Sequence, residues 1–141
     1  MRALLDISVL IALLDSGHTR HGSARSWLAG YHGGWASCPL TQNGCARVMS
    51  LPAYPNTVTT AAVIDRLHTA TQHPSHEFWP DDVSILDPQI TRRDALLGPR
   101  QLTDVYLLAL AVRHSGVFVT LDSRIAFDAV IGASSQSLSV L

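Results

Sequence analysis

This chain contains no lysine. That absence removes several kinds of chemistry. A P-loop needs a lysine on its phosphates. The familiar receiver-type phosphoacceptor, which also gathers acids at strand ends, uses one too. Schiff-base catalysis needs the amine itself. Cysteine is almost as scarce. Cys38 and Cys45 are the only two, and no CxxC spacing joins them. They fit neither a zinc site nor a disulfide framework, and they read as reduced core residues of a cytoplasmic protein. No GxGxxG follows the first apolar run, so a dinucleotide cofactor is not expected. The run Ile7 to Leu14 is too short to span a bilayer, and no export signal is evident.

Charge is sparse as well. Charged residues are 15% of the chain and the net charge is −1. Bulk attraction for nucleic acid is therefore absent. Any contact with RNA or DNA must come from a local patch of the ten arginines. With 47% hydrophobic residues over 141 positions, the chain can build a real core. A single domain over residues 1–141 is expected.

The stretch Gln101 to Arg124 organises the rest. Thr103 is a candidate N-cap, Tyr106 to Val112 is apolar and helix-favouring, and Ser115-Gly116 ends the helix. Val117 to Leu121 then reads as a buried strand. A helix over 104–114 runs about 16 Å and a strand over 117–121 returns about the same distance. Asp122 is thus expected beside Asp104.

Earlier in the chain, Arg2 to Asp6 reads as a buried strand ending in an acid, with Ser8 capping a helix through Leu14. In open α/β sheets, the carboxyl ends of strands are where ligands bind. A helix-capping Asp is the structural alternative for Asp6. A second helix is expected over His21 to Ala29, and a second strand over Trp35 to Cys38. A third helix, capped by Thr41, should run through Val48. Gln42 and Asn43 sit just past a strand end and could reach the same crevice, or could simply be surface amides. Thr59 to Thr71 has helical spacing. Val83 to Leu86 reads as a third strand, which would put Asp81 and Asp82 at the opposite edge. Thr91 to Leu97 reads as a short helix, and Leu138 to Val140 as the last strand. The alternation of strand and helix predicts an α/β fold, a parallel sheet with helices on both faces.

Asp6, Asp104 and Asp122 then converge on one edge. Three carboxylates without a lysine form a hard-oxygen site suited to Mg²⁺ or Mn²⁺. Metal-assisted phosphodiester hydrolysis is the chemistry that such a set fits best.

Four pieces of the chain resemble PIN-domain nucleases, and among them VapC-type toxins of bacterial toxin–antitoxin pairs. They are Leu4-Leu-Asp6-Ile-Ser-Val-Leu-Ile-Ala-Leu, Cys38-Pro-Leu-Thr-Gln-Asn-Gly44, Gly98-Pro-Arg-Gln-Leu-Thr-Asp104 with the Tyr106-Leu-Leu-Ala-Leu-Ala-Val that follows, and Val119-Thr-Leu-Asp122-Ser-Arg124. The resemblance implies a PIN-like three-layer fold with four to five strands. It implies an endoribonuclease site of acids holding Mg²⁺ or Mn²⁺, with Asp6, Asp104 and Asp122 as ligands. It also implies an RNA substrate (transfer or ribosomal), a homodimer and a VapB-type antitoxin. Most members carry Glu where this chain has Gln42, so a catalytically weak domain acting as a binding module is the alternative. Ser8 and Asn43 are expected to orient ligands, with Gln42 beside them. Arg47, Arg100 and Arg124, each close in sequence to a site residue, are expected to hold the RNA backbone.

Overall fold

A computed structural model describes all residues, Met1 to Leu141. Five short strands form one parallel sheet. In chain order they are β1 (Ala3–Leu5), β2 (Trp35–Ser37), β3 (His76–Phe78), β4 (Val117–Thr120) and β5 (Leu138–Val140). Their spatial order is β3-β2-β1-β4-β5, which puts β1 in the centre. The helices are α1 (Ile7–Leu14), α2 (His21–Gly30), α3 (Pro39–Met49), α4 (Thr60–Thr71) and α5 (Leu102–Arg113).

Period-two alternation along the strands sends side chains to two separate cores. Ala3, Leu5, Trp35, Val117 and Val119 pack with α1, α3 and α4 on one face. Leu4, Ala36 and Phe118 pack with α5 on the other. Strands buried on both faces explain the near-continuous apolar runs in β1 and β4. The turn between α5 and β4 is equally constrained. A Cβ on Gly116 would meet Arg2 O and Trp79 Cη2, both at 2.6 Å. No helix is long and apolar enough to cross a membrane.

Several elements depart from the sequence expectation. The third strand is His76–Phe78, and Val83 to Leu86 is irregular. β3 lies on the sheet edge with Glu77 and Phe78 exposed, so it lacks the apolar signature of a strand. Val83 instead tucks against the α5 core. Asp82 does sit at the far end of α5, paired with His114 at 3.0 Å, but Asp81 stands near Cys38 and Tyr106, toward the carboxyl edge, contrary to the expectation. Thr91 to Leu97 holds only a 3-10 turn over Arg93–Ala95, preceded by an antiparallel bridge from Thr91 to Val130.

The caps differ too. Asp6, not Ser8, caps α1, accepting from Ile7 N at 2.7 Å. Cys38 caps α3, with Thr41 bonded back to the Cys38 N–H at 3.0 Å. At α5 the cap position falls on Gln101, after a 3-10 turn over Pro99–Gln101, and Thr103 lies inside the helix. In each case the helix starts earlier than the best capping residue suggests.

Candidate metal centre

Because every strand is parallel, all carboxyl ends share one edge. β1 and β4 are neighbours there, with Leu5 opposite Val119. Asp6 leaves β1 at that edge, and its N–H bonds to Val119 O at 2.9 Å. Asp122 follows β4 by two residues, and α5 brings its first turn, with Asp104, to the same place. The outcome is an open cleft of about 490 Å³ lined by Asp6, Ser8, Asp104, Leu121, Asp122, Ser123 and Arg124. The expected meeting of Asp6, Asp104 and Asp122 therefore occurs.

Each acid has its own surroundings. Asp6 is buried, 7% exposed, and its carboxylate is well supplied with donors. Oδ2 accepts from Ser8 Oγ at 2.9 Å and from Thr120 Oγ1 at 2.7 Å, while Oδ1 caps α1. Thr120 also accepts from the Asp122 N–H at 3.1 Å, so one hydroxyl joins two of the acids. Sequence reasoning missed Thr120. Its signal was its place two residues before Asp122, on the same side of the strand.

Asp104 is half-buried and has no cationic neighbour to offset its charge. Burial, and then the charges of Asp6 and Asp122, push its carboxyl up to about 6. Asp122 behaves in the opposite way. The backbone N–H of Arg124 at 2.9 Å, then its guanidinium, hold Asp122 below the ordinary carboxylate range. Arg124 Nε reaches Oδ1 at 3.2 Å and Nη2 reaches Oδ2 at 3.5 Å.

The remaining expected residues stand outside this cleft lining. Gln42 is not turned into it. Its Nε2 donates to Ser37 Oγ at 2.9 Å, and Ser37 Oγ lies 2.8 Å from His76 Nε2. β3 runs alongside β2 with His76 opposite Trp35, and the His76 ring reaches diagonally to Ser37, two residues further along β2. Asn43 and Arg47 are exposed on α3, and Arg100 is exposed ahead of α5. Gly44 allows α3 to lie against the start of α1, since a Cβ there would meet Ile7 Cδ1 at 2.3 Å. A larger cavity, about 680 Å³ between α2 and α4, holds none of the acids.

The lining offers a divalent ion carboxylate and hydroxyl oxygens and neither thiolate nor imidazole, which suits a hard cation. The fit is chemical rather than preformed. No three His, Cys, Asp or Glu side chains cage an ion as they stand. Burial first, and then the charges of Asp6 and Asp122, raise Asp104; the missing cage reports that the three acids have not closed on one point.

Comparison with known proteins agrees with this architecture. Residues 3–131 match the PIN domain family. Ribonuclease VapC44 of Mycobacterium tuberculosis is 54% identical over 142 aligned positions, covering 100% of both chains. Ribonuclease VapC39 of the same organism is 40% identical, covering 94% of this chain and 96% of its own. A toxin–antitoxin complex from Klebsiella pneumoniae superimposes with a TM-score of 0.63 at 17% identity, over 98% of this chain and 96% of that one. The chain belongs to the PIN-domain family, in its VapC group.

Proposed function

We propose that this chain is a divalent-metal-dependent endoribonuclease. It is the toxin of a toxin–antitoxin pair, held in check by a VapB-type antitoxin. The reading extends to a single domain over residues 1–141, acting as a homodimer in the cytoplasm. The substrate class is transfer or ribosomal RNA. The observation that carries this reading is the convergence of Asp6, Asp104 and Asp122 on one open cleft, where burial and then the charges of its neighbours raise the Asp104 carboxyl. Such a set relaxes when a cation enters. Ribonuclease activity in the names of two curated relatives supports the same reading.

Asp6, Asp104 and Asp122 would hold Mg²⁺ or Mn²⁺. When bound, the ion supplies an activated water and charge stabilisation on phosphate oxygens. The chain's own groups do the rest. Ser8 and Thr120 fix the Asp6 carboxylate in one orientation. Asp104, raised to about 6 and so largely ionised at pH 7, would offer the ion a carboxylate oxygen. Arg124, at the rim, meets the backbone phosphate, while Arg47 and Arg100 add exposed positive charge farther out. Mapped RNA ends from cells briefly induced for this chain test the reading. New ends should appear with the parent and be missing with Asp6→Asn.

A second reading is favoured by one feature. Gln42 brings no charge, and its amide is engaged by Ser37. A catalytically weak domain binding RNA or protein would fit that. Gln42→Glu separates the two. A large gain in Mg²⁺-dependent cleavage marks a weakened site; unchanged cleavage marks an enzyme adapted to the amide.

A further inference from the structure

Arg124 is doing something specific in the free protein. It is the one arginine in the lining of the acid cleft, and its side chain clasps a proposed ligand. We propose that Arg124 is a latch on Asp122, released by the RNA phosphate, so that the cation binds more tightly when substrate is present. This inference rests on the metal-nuclease reading above.

The geometry supports the latch in three ways. Nε lies 3.2 Å from Oδ1 and Nη2 lies 3.5 Å from Oδ2, so the guanidinium spans both carboxylate oxygens. A guanidinium there repels a divalent ion and competes for the same lone pairs. Of the three acids lining the cleft, Asp122 is the one whose carboxylate is paired with a cation, so removing the arm restores an anionic ligand there.

The hold is also easy to break. The Arg124 side chain is 84% exposed, and exposed pairs are weak. A phosphodiester offers the guanidinium fork a matched pair of oxygens. When the arm leaves, the loop need not move. The Arg124 backbone N–H still holds Oδ1 at 2.9 Å. Asp122 then regains Oδ2 and the second lone pair of Oδ1 in place. Linkage makes the effect reciprocal: RNA tightens the cation, and the cation tightens RNA.

The test measures Mn²⁺ binding by electron paramagnetic resonance at fixed ionic strength. Without RNA, Arg124→Gln should bind Mn²⁺ roughly two- to fivefold more tightly than the parent, the range that an exposed ion pair spans. In an Asp122→Asn background the same change should give no gain. Equal gains in both backgrounds would mean simple long-range repulsion and would overturn the latch, as would no gain in the parent. A second arm uses a saturating nuclease-resistant 2′-O-methyl oligoribonucleotide. There the parent and Arg124→Gln should bind Mn²⁺ equally, and a persisting difference would overturn the latch. If Asp122→Asn binds too weakly to titrate, this arm decides alone. Undiminished Mn²⁺ binding by Asp104→Asn would sink the cation-site reading itself, which is a different failure.

Discussion

The Thr120 hydroxyl donates to Asp6 Oδ2 at 2.7 Å, joining residues 114 positions apart in the chain. Thr120 Oγ1 in turn accepts from the Asp122 N–H at 3.1 Å. A buried strand-end threonine thus sets the positions of two acids from opposite ends of the sequence. Thr120→Val keeps the shape and removes both bonds. It should cost about 1–3 kcal/mol in chemical denaturation, since a buried carboxylate loses a donor. RNA cleavage should fall by roughly tenfold or more, and Thr120→Ser should restore most of it. Full activity in Thr120→Val would show that the hydroxyl positions nothing.

Asp104 should impose a stability cost that a cation removes. Its folded pKa, about 6, lies above the ordinary 3.8. The contribution is therefore most favourable below 3.8 and is lost as pH rises through 6. Asp104→Asn should be more stable than the parent at pH 7 without divalent ions. Discounting for partial exposure, the gain should be about 1–2 kcal/mol. It should shrink toward zero at pH 4. Mn²⁺ should raise the melting temperature of the parent and leave the variant nearly unchanged. Thermal melts across pH, with and without Mn²⁺, check this; a variant less stable than the parent at pH 7 would refute it.

Asp15 predicts the opposite pH response at a site away from the chemistry. Burial alone would raise its pKa. Bonds from Tyr54, Asn56 and the Gly17 N–H, together with the charge of His18, outweigh burial and hold it below 3.8. Its stabilising effect is therefore present above 3.8 and lost as pH falls through the lower folded value. This carboxylate ties the end of α1 to the loop at Tyr54 and Asn56. Asp15→Ala should cost about 1–3 kcal/mol at pH 7 and much less at pH 2. Urea midpoints at the two pH values give the answer; an equal loss at both would argue against the linkage.

Gly44→Ala should disturb the site indirectly. The added methyl would lie 2.3 Å from Ile7 Cδ1, and Ile7 is the residue after Asp6. Overpacking of this kind costs about 1–3 kcal/mol. Ile7→Val, which shortens that side chain, should recover part of the loss in the double variant. Denaturation of the two single variants and the double forms the check, and strictly additive losses would rule out the contact.

The parts of this molecule that follow from length and local pattern were legible in the sequence. A helix and a strand of matched reach put Asp104 beside Asp122, and the apolar runs of β1 and β4 marked two buried strands. Parts that depend on register were hidden. β3 is an edge strand of His, Glu and Phe, so its burial pattern carries no signal. Gln42 looked like a cleft residue because it follows a strand end. Its amide instead donates to Ser37, whose hydroxyl meets the ring of His76 reaching diagonally from β3, a long-range contact that no local pattern announces. Thr120 was hidden by being an ordinary strand residue in an ordinary strand.

The central claim is that Asp6, Asp104 and Asp122 act as one cation site that cuts RNA. It is tested most directly by cleavage of a structured RNA by purified protein, with Mg²⁺ and with EDTA. The parent should cleave only with Mg²⁺, and folded Asp6→Asn and Asp104→Asn should be silent under both conditions. Cleavage that survives EDTA, or persists undiminished in Asp104→Asn, would contradict the account.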